Sequence, residues 1–241
     1  QVWALNYIGK YYHSIGQFDE SIKYYELSYQ LAKRQNDTIA TIAIQNKIGK
    51  HYETVGEYAI ALEYYLESEM MIQHVDNLIE KATTYNHLGN IHHLLNDLPK
   101  ATEFHVKSLE NRRKLKYKEG EAKSLNNLGE LLVDREMPDS ALQCFIESYK
   151  ICDELNYVKG MIKSIHNQGI INRLKNHNSL ALENFQLALN LANQINYDKG
   201  KLNAYYYLAL TNKSRGKVLK AIEYSNQGLD LAIEKDVKTK V

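Results

Sequence analysis

The sequence predicts an all-α solenoid of stacked helix pairs, and three observations predict it. Gly9, Gly49, Gly89, Gly129 and Gly169 fall at successive intervals of 40 residues, with Ala209 in the next place. Each stands in a related neighbourhood: Asn6-Tyr7-Ile8-Gly9, Asn46-Lys47-Ile48-Gly49, Asn86-His87-Leu88-Gly89 and Asn126-Asn127-Leu128-Gly129, then His166-Asn167-Gln168-Gly169 and Tyr206-Tyr207-Leu208-Ala209. The hydrophobic pattern around this column has a helical period, and proline is nearly absent. Internal periods of roughly 20–50 residues mark repeats that bury a continuous core by stacking.

The first helix of each repeat shows in apolar positions at i, i+3, i+4 and i+7. Leu5, Ile8, Gly9 and Tyr12 form this face in the first copy, and Leu125, Leu128, Gly129 and Leu132 form it in the fourth. Glycine inside a helix costs ~1 kcal/mol against alanine. Its recurrence in register predicts a second helix packed too close for a side chain, and Ala209 meets the same demand.

A short turn follows, carrying Gly16, Gly56, Asn96 and Gly216, residue types that tolerate the left-handed conformation ending a helix. The second helix opens with Phe18-Asp19-Glu20, Tyr58, Leu98-Pro99 or Pro138-Asp139. Pro99 and Pro138, the chain's 2 prolines, both sit at such starts, where a missing N–H costs little. Within this helix a small residue precedes a ring by four positions: Ser21/Tyr25, Ala61/Tyr65, Ala101/His105, Ala141/Phe145 and Ala181/Phe185. The sixth copy pairs Ala221 with Ser225. Polar linkers such as Asn36-Asp37-Thr38, Tyr157-Val158-Lys159-Gly160 and Tyr197-Asp198-Lys199-Gly200 join the repeats. The expected boundaries are 1–35, 36–75, 76–115, 116–155, 156–195 and 196–235 within one array, with 236–241 starting a truncated next segment.

Composition bounds the function classes. The chain is 44% hydrophobic and 24% charged, with a net charge of +1. That balance gives no bulk reason to bind nucleic acid or an anionic membrane, and no apolar run approaches the ~20 residues of a membrane span. The first residue is Gln1, no signal sequence follows, and both ends look cut, so the chain reads as a fragment of a longer protein. The cytoplasm is the favoured compartment, with the periplasm open if a signal sequence precedes the fragment. Cys144 and Cys152 lie on one expected helix, roughly 12 Å apart at ~1.5 Å per residue, too far for a disulfide.

The repeat, L-x-x-[LI]-G-x-x-Y, then G-x-[FY], then A-x-x-x-[FY], resembles the tetratricopeptide (TPR) signature over about the whole chain. The resemblance implies a right-handed α-α superhelix of six TPR-like helix-turn-helix repeats. The unit departs from the usual ~34 residues. The closing proline is missing near Lys33, Gln73 and Arg113, and the opening tryptophan is replaced by Leu5, Gln45, Tyr85, Leu125, Ile165 and Tyr205. Repeats with this longer unit and Asn-x-[LI]-G core look like a subset that includes Pins-type scaffolds, kinesin light chains, Rap/PlcR-like peptide-sensing regulators and TPR sensor modules of bacterial two-component proteins.

The candidate site follows the polar stripe of the first helices: Asn6-Lys10-His13, Asn46-Lys50-Glu53, Asn86-Asn90-His93, Asn126-Glu130-Val133 and His166-Ile170-Arg173. Asparagine is an indifferent helix former, so four in register need a reason. One reading is structural, a buried amide bonding a neighbouring turn. The resemblance implies the other: in several TPR proteins asparagine here grips the main chain of an extended peptide through its paired donor and acceptor. Adjacent Lys47, Lys123 and Lys163 make the stripe basic, seven cations counting Lys213 against Glu53, Glu130 and Asp134. That suits a protein or peptide partner with acidic character or a free carboxylate; a solvated face with chance bias is the alternative.

His87, His92, His93 and His105 cluster in the third repeat, but their spacing makes no metal-binding pair with a carboxylate. The 19 tyrosines read as core rings with wet hydroxyls. No phosphate-gripping loop, nucleophile elbow or paired-cysteine motif is present, so no cofactor or catalysis is expected of this fragment. The expectation is an interaction and sensing module of a larger signalling protein, of sensor-kinase or transcriptional-regulator type. The alternatives are a Rap/PlcR-like regulator or a passive scaffold, and the repeat ends are candidates for self-association.

Overall fold

The computed structural model describes residues 1–239, with side chains in the last helix as far as residue 234. The chain divides into two compact units, Gln1–Tyr117 and Lys118–Val241. Unit 1 contains α1 (Val2–Ser14), α2 (Phe18–Arg34), α3 (Thr38–Val55), α4 (Tyr58–Ile72), α5 (Leu78–Leu94) and α6 (Leu98–Lys114). Unit 2 contains α7 (Lys118–Asp134), α8 (Pro138–Glu154), α9 (Val158–Leu174), α10 (Asn178–Gln194), α11 (Asp198–Ser214) and α12 (Val218–Thr239). The fold is the expected all-α solenoid of helix pairs. The expected new segment at 236–241 reaches residues 240 and 241, which lie outside the described residues.

The glycine column is where each pair is clamped. A Cβ on Gly9, Gly49, Gly89, Gly129 or Gly169 would stand 2.4–2.7 Å from the ring of Tyr25, Tyr65, His105, Phe145 or Phe185. These are the rings of the small-then-ring pattern. Each lies in the second helix of the same repeat, and Tyr65, Phe145 and Phe185 are fully buried. Where tyrosines come in pairs, the second ring stacks on the first helix: Tyr24 on Tyr12 at 5.4 Å and Tyr64 on Tyr52 at 5.8 Å.

A serine column ties the pairs. Ser28, Ser108 and Ser148 donate to the carbonyls of Val2, Ala82 and Ala122 at 2.7–2.8 Å. Each bond spans the two helices of one repeat and contributes about 1 kcal/mol.

The turns within repeats use left-handed Gly16, Gly56, Asn96, Glu136, Asn176 and Gly216. Sequence reading expected only the glycines and Asn96. The linkers use the same device at Asn36, Lys116, Asn156 and Asn196. The junction after α4 differs: that helix stops at Ile72, and α5 starts only at Leu78, capped by Asn77 Oδ1 accepting from the Ile79 and Glu80 amides.

Within each unit a first helix packs on the first helix of the next repeat, α1 with α3 and α3 with α5, then α7 with α9 and α9 with α11. The first helices therefore share a continuous face in each unit, and the candidate residues lie on it.

Candidate functional site

In unit 2 this face contains a groove of about 680 Å³. Lys123, Asn126, Lys163 and His166, expected from the sequence, line it together. Lys159 and Lys199 join them, with Tyr157, Tyr197 and Tyr207, and Glu130 is the one acidic residue of the lining. Lys159 and Lys199 come from the first turns of α9 and α11 and were missed. The signal was present in the Tyr-x-Lys-Gly recurrence at Tyr157 and Tyr197, which reads as mere linker.

That recurrence has a packing cause. A Cβ on Gly160 would meet Tyr157 Cδ1 at 2.5 Å, and one on Gly200 would meet Tyr197 Cδ1 at 2.7 Å. Each tyrosine thus folds back flat over the glycine of the following turn. The exposed ring face carries a lysine: Lys123 Nζ lies 5.5 Å from the Tyr157 centroid and Lys159 Nζ lies 5.4 Å from that of Tyr197. The ring quadrupole attracts the ammonium and holds it over the groove. Arg173, half-buried beside the groove, lies 6.0 Å from the Tyr207 ring.

Asn126 is buried at the groove floor, and its amide is oriented by the scaffold. Its Nδ2 donates to Ser148 Oγ at 2.6 Å, Ser164 Oγ at 2.9 Å and the Ala122 carbonyl at 3.2 Å. Its Oδ1 is shielded from water and has no partner. A buried acceptor left unpaired is costly, so Asn126 is both a helix tie and an acceptor waiting for a donor. His166 packs on Phe185 and Tyr207 at 5.3 and 4.9 Å, and burial pushes its pKa down to about 4. It is neutral at pH 7. Glu130 pairs with Lys163 at 3.1 Å and accepts from Asn167 Nδ2 at 3.0 Å.

In unit 1 the same face gathers Lys10, His13, Lys47 and Lys50. Burial and the nearby Lys10 charge hold the Lys47 ammonium below the usual lysine range. Burial, then Lys50 and Lys47, lower the imidazole of His13, and the same three causes with Arg112 push His87 to about 3. Lys50 is paired with Glu53. Asn46 repeats the Asn126 geometry: Nδ2 donates to Thr84 Oγ1 at 2.9 Å and Oδ1 is buried without a partner. Asn6 is buried, whereas Asn86, Asn90 and His93 are half-buried along α5. Among the described residues no group of three or more His, Cys, Asp or Glu could hold a metal ion, and no helix is long and apolar enough to cross a membrane.

The sequence matches the tetratricopeptide repeat family over residues 1–70 and 80–154, more than half of the chain. The chain belongs to the tetratricopeptide repeat family. Comparison with the curated proteins gives no match. Among solved structures, the TPR chain is similar to a signal-transduction ATPase (STAND) protein with a tetratricopeptide repeat sensor from Pyrococcus horikoshii. The TM-score is 0.83 at 15% identity, covering 98% of this chain and 36% of that one. It is similar to BtubC from P. vanneervenii, with a TM-score of 0.75 at 15% identity over 92% and 91% of the two chains. It also resembles the Rap conjugation gene regulator of plasmid pLS20, solved with the Phr* peptide, with a TM-score of 0.71 at 18% identity over 98% and 76%. At such identities these likenesses establish the fold. The chain spans about a third of the length of the STAND protein.

Proposed function

We propose that this TPR chain is the interaction and sensing module of a larger signalling or regulatory protein, and that its first-helix faces hold an extended, acidic segment of a protein or peptide. The observation that carries the reading is the unit 2 groove. Four lysines and one carboxylate line it, Lys123 paired with Glu119 at its edge and Lys163 with Glu130; Lys123 and Lys159 also lie over tyrosine rings, and the floor offers an unpaired amide oxygen. An extended main chain supplies an N–H to that oxygen while acidic side chains or a terminal carboxylate meet the lysines. In unit 1 burial and the Lys10 charge lower the Lys47 ammonium, and burial with Lys50 and Lys47 lowers the His13 imidazole, a crowding of positive charge that an incoming carboxylate relieves. A Rap/PlcR-type regulator is the second reading, favoured by the likeness to the Rap regulator solved with a peptide.

The test is fluorescence anisotropy with a set of short acidic peptides and their amide counterparts, on the wild type and on Lys159→Glu/Lys199→Glu. Both lysines are surface residues outside the helix ties, so the fold survives the change. Binding of acidic peptides that is lost in the variant and weakened by salt supports the reading. Indifference of every bound peptide to the charge reversal moves the site off this groove.

A further inference from the structure

Unit 1 carries a second recess, of about 530 Å³, that shares no lining residue with the faces above. Its walls include Tyr29, Lys33, Gln45, Glu67, Met70 and Met71. Gln45 is the anomaly. It occupies the column that is Leu5, Tyr85, Leu125, Ile165 and Tyr205 in the other repeats, and only 1% of it is exposed. Where the other copies place a hydrophobic residue, buried at Tyr85, Leu125 and Ile165 and half-buried at Leu5 and Tyr205, the second copy buries an amide. Departures from a repeat's own packing rule concentrate at functional positions.

The amide is half satisfied. Gln45 Nε2 donates to Glu67 Oε2 at 2.7 Å, and Gln45 Oε1 is buried with no partner. Glu67, whose column reads Leu27, Lys107, Glu147, Leu187 and Gln227 in the other repeats, has no cation paired with it among the described residues. The recess therefore presents two acceptors, one carrying a full negative charge, and no donor that answers them. Met70, 64% exposed, and Met71 supply a polarizable wall. The Tyr29 ring already attracts a cation, with Lys33 Nζ 5.2 Å from its centroid.

We propose that this recess takes an arginine side chain presented by a protein partner. A guanidinium is planar, carries donors in a fork that can meet the Glu67 carboxylate and the Gln45 carbonyl together, and stacks on an aromatic face. Its methylene stem lies along the methionines. Lysine offers a point charge without the fork. An anionic ligand would meet one lysine, Lys33, among neutral or weakly basic donors such as Asn36, Thr38 and His74, and would face the Glu67 carboxylate. This site goes beyond the acidic-segment reading and stands or falls separately, because it needs the opposite ligand charge.

The experiment is an NMR titration of the whole chain with methyl-labelled methionine. The chain has 4 methionines, and Met137 and Met161 in unit 2 serve as internal controls. The probe is a glycine pentapeptide with blocked ends and a central arginine, compared with the same peptide carrying citrulline, which keeps the shape and loses the charge. The Met70 and Met71 methyls should shift with arginine and several-fold less with citrulline. Glu67→Gln should weaken binding several-fold, and Lys33→Ala should strengthen it by removing the competing cation. Gln45→Leu restores the column's apolar character, so it should hold or raise the urea midpoint while abolishing the arginine shifts. Equal shifts with citrulline, still Met70 and Met71 methyls, or weaker binding in Lys33→Ala would each overturn the proposal.

Discussion

A Cβ added to Gly129 would lie 2.4 Å from Cε1 of Phe145, a ring buried to 1% exposure in the second helix of the same repeat. The ring cannot retreat, because it is enclosed by Leu132, Ala141 and Ile171. Gly129→Ala gains about 1 kcal/mol of helix propensity but overpacks the pair, at a cost of about 1–3 kcal/mol. The expected net result is a lower urea midpoint. The sixth repeat shows the compensated form, with Ala209 opposite Ser225 in place of glycine and ring. Gly129→Ala should therefore be less harmful in a Phe145→Leu background, and additive losses in the double-mutant cycle would refute the clamp.

Asn126 combines a helix tie with the proposed binding role. Its Nδ2 bonds join α7 to both α8 and α9. Asn126→Ala leaves the Ser148 and Ser164 hydroxyls to rearrange and should cost about 1–3 kcal/mol, read as a urea midpoint shift. Asn86, half-buried, should cost clearly less on the same substitution. Loss of peptide binding in Asn126→Ala is interpretable only beside that stability measurement. This is why the lysine reversal is the cleaner test of the groove.

His166 makes the fold sensitive to acid. Its pKa falls from 6.5 to about 4 on folding because burial penalises the imidazolium. Between those values the unfolded chain binds the proton and the folded chain does not, so stability falls as pH drops from 6.5 toward 4 and is unaffected above 7. At 1.36 kcal/mol per unit the loss is about 3 kcal/mol from this group. His87, stacked on Tyr65 at 4.9 Å, adds a loss of the same sign. His166→Gln should flatten the decline in urea midpoint between pH 6.5 and 4.5. A decline of unchanged steepness would assign the acid sensitivity elsewhere.

The repeat period and the helix pairs were legible because each is a local pattern copied in register. The glycine column announced a close helix and the small-then-ring pattern announced a ring column, but that Tyr25, Tyr65, Phe145 and Phe185 close on those glycines is a tertiary contact the spacing did not pair. The candidate residues were legible by column but not by depth. Asn6, Asn46 and Asn126 share a column with half-buried Asn86, and a one-dimensional stripe does not say which amide turns inward. Lys159 and Lys199 escaped because they sit in first turns, where a lysine reads as linker until Lys159 is seen over the Tyr197 ring and Lys199 in the lining of the same groove. The left-handed Glu136 and Lys116 carry no glycine signal, and the tight turn imposes that conformation on whichever residue occupies it.

Glu130 sets the charge balance of the groove, which gives a paired prediction. It is the sole carboxylate of the lining, pairs with Lys163 at 3.1 Å and accepts from Asn167. Lys163→Ala removes one cation and leaves Glu130 facing the ligand, so an acidic peptide meets a lost attraction and a new repulsion. Lys199→Ala removes only the attraction. A single partly exposed charge is worth up to about 1 kcal/mol, so Lys199→Ala should weaken binding by about three- to five-fold and Lys163→Ala by more. Glu130→Gln should tighten it, and in a Glu130→Gln background Lys163→Ala should fall back to the Lys199→Ala value. Anisotropy titrations at low and high salt check all four, because each difference must shrink as screening rises. Tightening absent in Glu130→Gln would mean that acidic ligands do not pass this part of the groove.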